Sequence, residues 1–97
     1  MARRNSALQA DTLFILLLRK NKGKSDPIQI VDLRNILNKI RTYEVGANSF
    51  RDSIHTLAER GYLDKYRTKS LRLAVTLTET GVEHASELNK ERLEQIK

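Results

Sequence analysis

The sequence predicts a single α+β domain that is mainly helical. Its 97 residues leave room for one hydrophobic core. Four segments carry apolar residues at helical spacing, and the stretch after Gly61 alternates between polar and apolar residues as strands do. The predicted elements are helices over 7–21, 31–40 and 47–60, a very short strand over 28–30, a two-stranded hairpin with strands at 62–67 and 71–77, and a last helix running towards residue 96.

Local signals mark the ends of these helices. Ser6 and Gln9 have the spacing of a capping box, in which two side chains satisfy free backbone N–H groups at a helix start. The first helix ends in Lys and Arg ahead of Gly23, which suits the negative end of the helix dipole and a left-handed exit. Thr78 is placed to cap the last helix.

The net charge of +6 is concentrated in two places. Residues 1–24 carry six bases and one acid, and residues 64–77 carry four bases and one acid, whereas residues 78–97 carry three bases and five acids. A polyanion partner is the simplest interpretation, and the alternative is a soluble surface with uneven charge.

The third helix is amphipathic, with Phe50, Ile54 and Leu57 on its apolar stripe. A helix that enters the major groove of DNA needs an exposed polar face near its N-terminus, where Asn, Arg and Asp side chains can bond base edges. The candidates are Asn48, Ser49, Arg51, Asp52 and His55. The alternative is an ordinary solvated helix face, because these residues have no net formal charge, and Asp52 is the weakest candidate because it repels phosphate.

The predicted hairpin carries the second concentration of cations. Its candidate phosphate-binding residues are Lys65, Arg67, Thr68, Lys69 and Arg72. The alternative is a charged edge strand that resists pairing with other chains. Arg3 and Arg4 are candidates for a basic arm, and the three lysines at 20, 22 and 24 are interpreted as helix-end charges.

Two stretches resemble the winged helix-turn-helix family of DNA-binding proteins. Leu57–Leu63, LAERGYL, looks like the exit from a recognition helix into the first wing strand, and Leu77–Gly81, LTETG, is similar to the junction between wing and final helix in PadR-like and MarR-like regulators. The resemblance covers 11–86. The connector at 41–46 departs from it, because it is longer than a tight helix-turn-helix turn.

The resemblance implies a winged helix over the whole of 1–97. Residues 7–77 would form a three-helix core with a two-stranded wing, residues 1–6 a flexible basic arm, and residues 78–97 an extra C-terminal helix. It also implies that the third helix lies in the major groove of double-stranded DNA and that the wing contacts the backbone or minor groove.

The last helix carries an apolar stripe that needs a partner. Its members are Val82, Ala85, Leu88, Leu93 and Ile96. In related small regulators this helix pairs with its symmetry mate, which predicts a homodimer and a pseudo-palindromic site. The alternatives are that part of the helix folds back onto the first helix, or that a monomer has a frayed C-terminus.

Catalytic and metal chemistry find no support in the sequence. There is no cysteine, the two histidines lie on different elements, and the four glycines are isolated rather than grouped as a phosphate-binding loop. The longest apolar run, over 13–18, is far too short to cross a membrane. We therefore expect no enzyme activity, no cofactor, no metal, no membrane partner and no evident small-molecule ligand.

These observations favour a sequence-specific double-stranded DNA-binding protein. The leading interpretation is a homodimeric transcriptional regulator, a repressor, in the cytoplasm and nucleoid of a prokaryote or encoded by a plasmid or virus. A plasmid partition or replication-control protein on the same fold is one alternative. A winged-helix module that binds another protein is the other, because the neutral third helix does not by itself favour DNA.

Overall fold

The fold is a helical domain closed on one side by a small antiparallel sheet. A computed structural model describes the backbone of residues 7–24, 26–40 and 44–96, with side chains as far as residue 91. The elements are α1 (Ala7–Asn21), β1 (Ile28–Gln29), α2 (Ile30–Ile40), α3 (Ala47–Glu59), β2 (Leu63–Arg67), β3 (Leu73–Leu77) and α4 (Glu79–Ile96). This architecture confirms the α+β winged helix, with its three-helix core, hairpin wing and extra C-terminal helix.

The helix α1 forms the centre of the core. Leu13, Leu16 and Leu17 are buried at helical spacing, and the buried hydroxyl of Thr12 donates to the carbonyl oxygen of Leu8 at 2.7 Å. Gly23 adopts a φ of 85° just beyond the helix end, as its position in the sequence predicts. The predicted capping box includes Ser6, which lies outside the described residues.

The three strands lie in the order β1-β3-β2, and both pairs are antiparallel. β2 and β3 form the wing, in which Leu63 lies opposite Leu77 and Arg67 lies opposite Leu73. β1 pairs with β3 through Ile28 and Val75 and runs directly into α2. The short first strand therefore attaches the start of α2 to the base of the same sheet that carries the wing.

The connector before α3 is held by side chains of α2. Asn38 accepts a hydrogen bond from the backbone N–H of Val45 through Oδ1 at 2.6 Å, and Arg34 donates from Nε to the carbonyl oxygen of Val45 at 2.8 Å. Val45 itself is buried. These contacts explain how a connector longer than a tight turn still starts α3 at Ala47, as the sequence predicts.

The core is built from one face of every helix and the inner face of the sheet. From α3 it takes Phe50, Ile54 and Leu57, all of which are at most 1% exposed. A fully buried Leu, Ile or Phe side chain contributes about 1.5–3 kcal/mol relative to an exposed one. Burial of this stripe leaves the polar face of α3 turned outward.

The helix α4 packs on its own chain over its first half. Ala85 is 1% exposed within the core, and Val82 and Leu88 pack against that core. These three residues thus pack within the chain, where α4 lies against α1, as the alternative left open by the sequence expects, and their role in a dimer stays a prediction. The side chains of Leu93 and Ile96 lie outside the described ones.

Candidate nucleic-acid interface

The two motif stretches meet at one point, which we call the wing base: Gly61, Tyr62, Thr78 and Gly81. The hydroxyl of Thr78 donates to the carbonyl oxygen of Gly61 at 2.6 Å, and its backbone N–H donates to the carbonyl oxygen of Tyr62 at 3.0 Å. The same hydroxyl oxygen accepts from the N–H of Gly81 at 2.9 Å and so caps α4, as the sequence predicts. The end of α3, the end of the wing and the start of α4 are thereby joined.

Glycine is required at Gly81 because α4 approaches another backbone segment closely. A Cβ atom there would lie inside van der Waals contact with the carbonyl oxygen of Tyr62. Three residues further along the helix, the ring of His84 stacks on the ring of Tyr62 with centroids 4.3 Å apart. The wing base therefore sets the position of the wing relative to α3.

The predicted base-reading residues lie in the first turns of α3. Asn48, Ser49, Arg51 and Asp52 are exposed there. His55 is less exposed than these four residues, because it is half-buried. Its Nδ1 accepts a hydrogen bond from Nζ of Lys65 on β2 at 3.2 Å. His55 is thus attached to the wing, while the other four side chains remain open to a partner.

The cationic side chains of the wing are accessible to solvent. Lys65, Arg67, Lys69 and Arg72 are all exposed. Thr68 has a different role, because its hydroxyl oxygen accepts from the backbone N–H of Arg72 at 3.1 Å and its own N–H donates to the carbonyl oxygen of Arg72 at 2.9 Å. Thr68 therefore builds the turn at residues 68–72, which we call the wing tip.

Arginines from α3 and from the wing face one groove, which we call the arginine groove. Arg51 comes from α3, Arg67 from the end of β2 and Arg72 from the wing tip. The groove has a volume of about 260 Å³, and none of the described residues that line it is acidic. Its other lining residues are Gln29, Ile30, Val31, Leu71 and Leu73.

Two of these lining residues were missed by sequence reasoning. Val31 is 39% exposed at the start of α2, and Leu71 is 75% exposed at the wing tip. An apolar residue inside a polar, cationic turn was the available signal for Leu71. For Val31 there was none, because its proximity to the wing depends on the pairing of β1 with β3.

Two other groups of charged residues do not line the arginine groove. Arg19, Lys20 and Lys24 line a small pocket with Thr76 and Leu77, at the end of β3 farther from the wing tip. One face of α4 presents exposed carboxylates at four-residue spacing, from Glu79, Glu83, Glu87 and Glu91. The candidate arm residues Arg3 and Arg4 lie outside the described residues.

Within the described part of the chain, no group of three or more His, Cys, Asp or Glu side chains could hold a metal ion. Over the same residues, no helix is long and apolar enough to cross a membrane.

Solved structures of transcription regulators share this fold. RosR from H. salinarum is 18% identical, with a TM-score of 0.79, and the match covers 98% of this chain and 80% of RosR. MepR, a transcription regulator of the Staphylococcus aureus multidrug efflux pump MepA, is 17% identical, with a TM-score of 0.70 over 94% of this chain. The fold of this chain is thus a winged helix, shared with these solved structures.

The length of the match differs between these proteins. This chain spans 62% of MepR, whereas F-93 of SSV1 matches over 100% of both chains, with 21% identity and a TM-score of 0.63. No known family model matches the sequence, and no curated protein matches it significantly.

Proposed function

We propose that this protein is a DNA-binding transcriptional regulator that recognises a preferred sequence in double-stranded DNA. The observation that carries the proposal is the arginine groove, in which Arg51 of α3 faces Arg67 and Arg72 of the wing. Structural similarity to transcription regulators such as MepR supports the same conclusion.

In a bound duplex, the groove would receive one phosphate backbone. In B-DNA one phosphate backbone separates the major groove from the neighbouring minor groove. If α3 lies in the major groove and the wing tip reaches the minor groove, that backbone must pass between them, where the three guanidinium groups lie. Arginine suits this position because its planar fork can donate two hydrogen bonds to one phosphate.

Sequence preference would come from the exposed start of α3. Asn48 has the side chain that bonds adenine bidentately, and such a pair contributes about 1–3 kcal/mol of discrimination, whereas Arg51 is assigned to the phosphate backbone in the groove. Ser49 and Asp52 lie on the same turns. The phosphate contacts of the wing set affinity and position but carry no sequence information directly.

We further propose that the protein acts as a homodimeric repressor. Two copies would present two α3 helices to successive major grooves about 34 Å apart, and an occupied operator would block transcription. The first half of α4 packs against the core of its own chain. We therefore assign the dimer contact to its second half, where Leu93 and Ile96 continue the apolar pattern of the sequence. A plasmid partition or replication-control role would use the same interface.

In this proposal residues 1–97 act as one domain in the compartment that holds the DNA, with Arg3 and Arg4 as an arm. The chain performs no catalytic step and uses no cofactor.

Fluorescence anisotropy tests the proposal. A labelled random-sequence duplex is titrated with the protein at several salt concentrations, with sedimentation of the free protein to determine its oligomeric state. We expect log K to fall with log salt at a slope steeper than about −3, the signature of several phosphate contacts. Selection from a random library should then return a pseudo-palindromic site. Absence of binding at low salt would contradict the proposal.

A further inference from the structure

The wing tip holds one apolar side chain in an unusual position. Leu71 is 75% exposed, and its backbone has a φ of 62°, the only positive φ of a non-glycine residue among those described. A left-handed conformation costs free energy for a residue with a Cβ atom, and Gly or Asn normally occupies such a site. An exposed leucine therefore stands where neither burial nor backbone preference favours it.

This conformation is imposed by a network of hydrogen bonds around the turn. The N–H of Leu71 donates to the carbonyl oxygen of Thr68 at 2.8 Å, and Nη1 of Arg67 donates to the carbonyl oxygen of Leu71 at 3.1 Å. The hydroxyl groups of Thr68 and Ser70 share a further bond at 3.1 Å. The turn thus presents Leu71 in a fixed direction instead of leaving it to fold back on the sheet.

The core gives no reason for this arrangement. Leu71 belongs neither to the buried cluster nor to the partly buried residues packed against it. Strain at an exposed, well-bonded position is typical of a residue whose contact is made with a partner. Leu71 is therefore available to a partner that accepts an apolar side chain from this surface.

The neighbouring charges identify the partner. Arg67, Lys69 and Arg72 are exposed within four residues of Leu71, so any surface that accepts this leucine must also accept three cations. The DNA minor groove does so, because two phosphate ridges flank a narrow floor of base edges and sugars. Apolar side chains that enter this groove separate neighbouring base pairs and kink the duplex.

We propose that Leu71 is a wedge that enters the minor groove, partly unstacks one base step and bends the DNA. The inference rests on the proposed function and adds to it a second source of sequence preference. Flexible pyrimidine–purine steps such as TA and CA are the easiest to unstack. A preferred site should therefore carry such a step under the wing tip, at a position that α3 does not contact.

The test compares Leu71→Asn with Lys69→Gln. Asn tolerates a positive φ, so the variant keeps the turn and removes only the apolar side chain. Lys69→Gln removes one cation from the same turn and leaves Leu71 in place. Both variants and the wild-type chain are titrated with a duplex of about 30 base pairs that carries a fluorophore at each end, so that anisotropy reports binding and energy transfer reports bending.

For Leu71→Asn we expect binding weakened about 10-fold, an unchanged salt slope, and loss of the bend and of the preference for a TA or CA step. For Lys69→Gln we expect the bend to remain and the magnitude of the salt slope to fall by about 1 for each bound protomer. A heat-melting measurement should show Leu71→Asn to be at least as stable as the wild-type chain.

The outcomes separate the wedge from the proposed function. Wild-type binding without bending, or a Leu71→Asn variant that binds and bends like the wild type, overturns the wedge and leaves DNA binding intact. Absence of wild-type binding overturns both. Leu71-dependent binding to phosphatidylserine vesicles, with no effect of Leu71→Asn on the duplex, would assign the wing tip to a membrane surface and also overturn the wedge.

Discussion

The two ends of the wing are built on opposite principles. At the wing base the polar groups of Thr78 are satisfied inside the chain, and Gly81 allows two backbone segments to meet. At the wing tip the charged groups are exposed, and Leu71 is held in an unfavourable conformation. The residues that make the sequence resemble a family are therefore those of the base, which set the architecture. The residues that we expect to contact DNA lie at the tip.

This difference predicts that substitutions at the base change stability and that substitutions at the tip change binding. The largest expected effect is at the base. Gly81→Ala should lower the free energy of unfolding by about 2–4 kcal/mol, because its Cβ atom would displace the carbonyl oxygen of Tyr62. Chemical denaturation measures the change.

Gly46→Ala is the matched control for Gly81→Ala. Its backbone has an ordinary φ of −67°, and an added Cβ atom would meet only Ser49 Oγ at 3.9 Å. This control should stay within about 0.5 kcal/mol of the wild-type chain. Equal stabilities of the two variants would contradict the close approach at the wing base.

Thr78→Val should have an intermediate effect at the base. The substitution keeps the side-chain shape but removes the hydroxyl that bonds the backbone of Gly61 and caps α4 through Gly81. We expect a loss of about 1–2 kcal/mol in thermal or chemical denaturation. Thr76→Val, on β3, is the control and should change stability by less than about 0.5 kcal/mol. If Thr76→Val lowered the free energy of unfolding more than Thr78→Val does, the stabilising role assigned to the Thr78 hydroxyl would be wrong.

The smallest effects distinguish two lysines along the wing. Lys69 lies at the tip, whereas Lys65 lies on β2 and donates to Nδ1 of His55 at 3.2 Å. Lys69→Gln should weaken duplex binding about 5-fold, and Lys65→Gln about 2-fold, because the ammonium group of Lys65 already has a partner. Anisotropy titrations at one salt concentration compare them. A larger loss of duplex affinity for Lys65→Gln than for Lys69→Gln would indicate that DNA contacts the wing nearer its base than its tip.

Local patterns were sufficient for most of the fold. The bounds of α1 and the start of α3 agree with those predicted, because apolar spacing and flanking glycines are signals within the segment itself. The wing strands begin later than predicted, at Leu63 and Leu73. Tyr62 still belongs to the exit turn of α3, because its N–H donates to the carbonyl oxygen of Leu57. The start of β3 is delayed because the hydrogen bonds between Thr68 and Arg72 make the turn longer than its three polar residues indicate.

The arrangement of the site could not be predicted in the same way. The sequence identified Arg51, Arg67 and Arg72 as separate candidates, but their meeting in one groove depends on how β1 attaches α2 to the sheet. The conformation of Leu71 contradicts local preference, so no propensity argument could predict it. The partner of the apolar stripe of α4 could not be predicted either, because an apolar face can pack against the core of its own chain or against a second copy.

The central claim is that DNA lies in the arginine groove, and two charge-matched variants test it most directly. One carries Arg51→Gln, Arg67→Gln and Arg72→Gln, and the other carries Lys20→Gln, Lys22→Gln and Lys24→Gln at exposed sites around the end of α1. Each loses three positive charges, so the two variants have the same net charge.

Anisotropy titration of the same labelled duplex across salt compares them. We predict that the arginine variant binds about 100-fold more weakly than the wild type, with the magnitude of its log–log salt slope reduced by about 2–3 for each bound protomer. The lysine variant should stay within about 3-fold of the wild type. Equal losses in the two variants would show that binding follows net charge alone and would contradict the assignment of the groove.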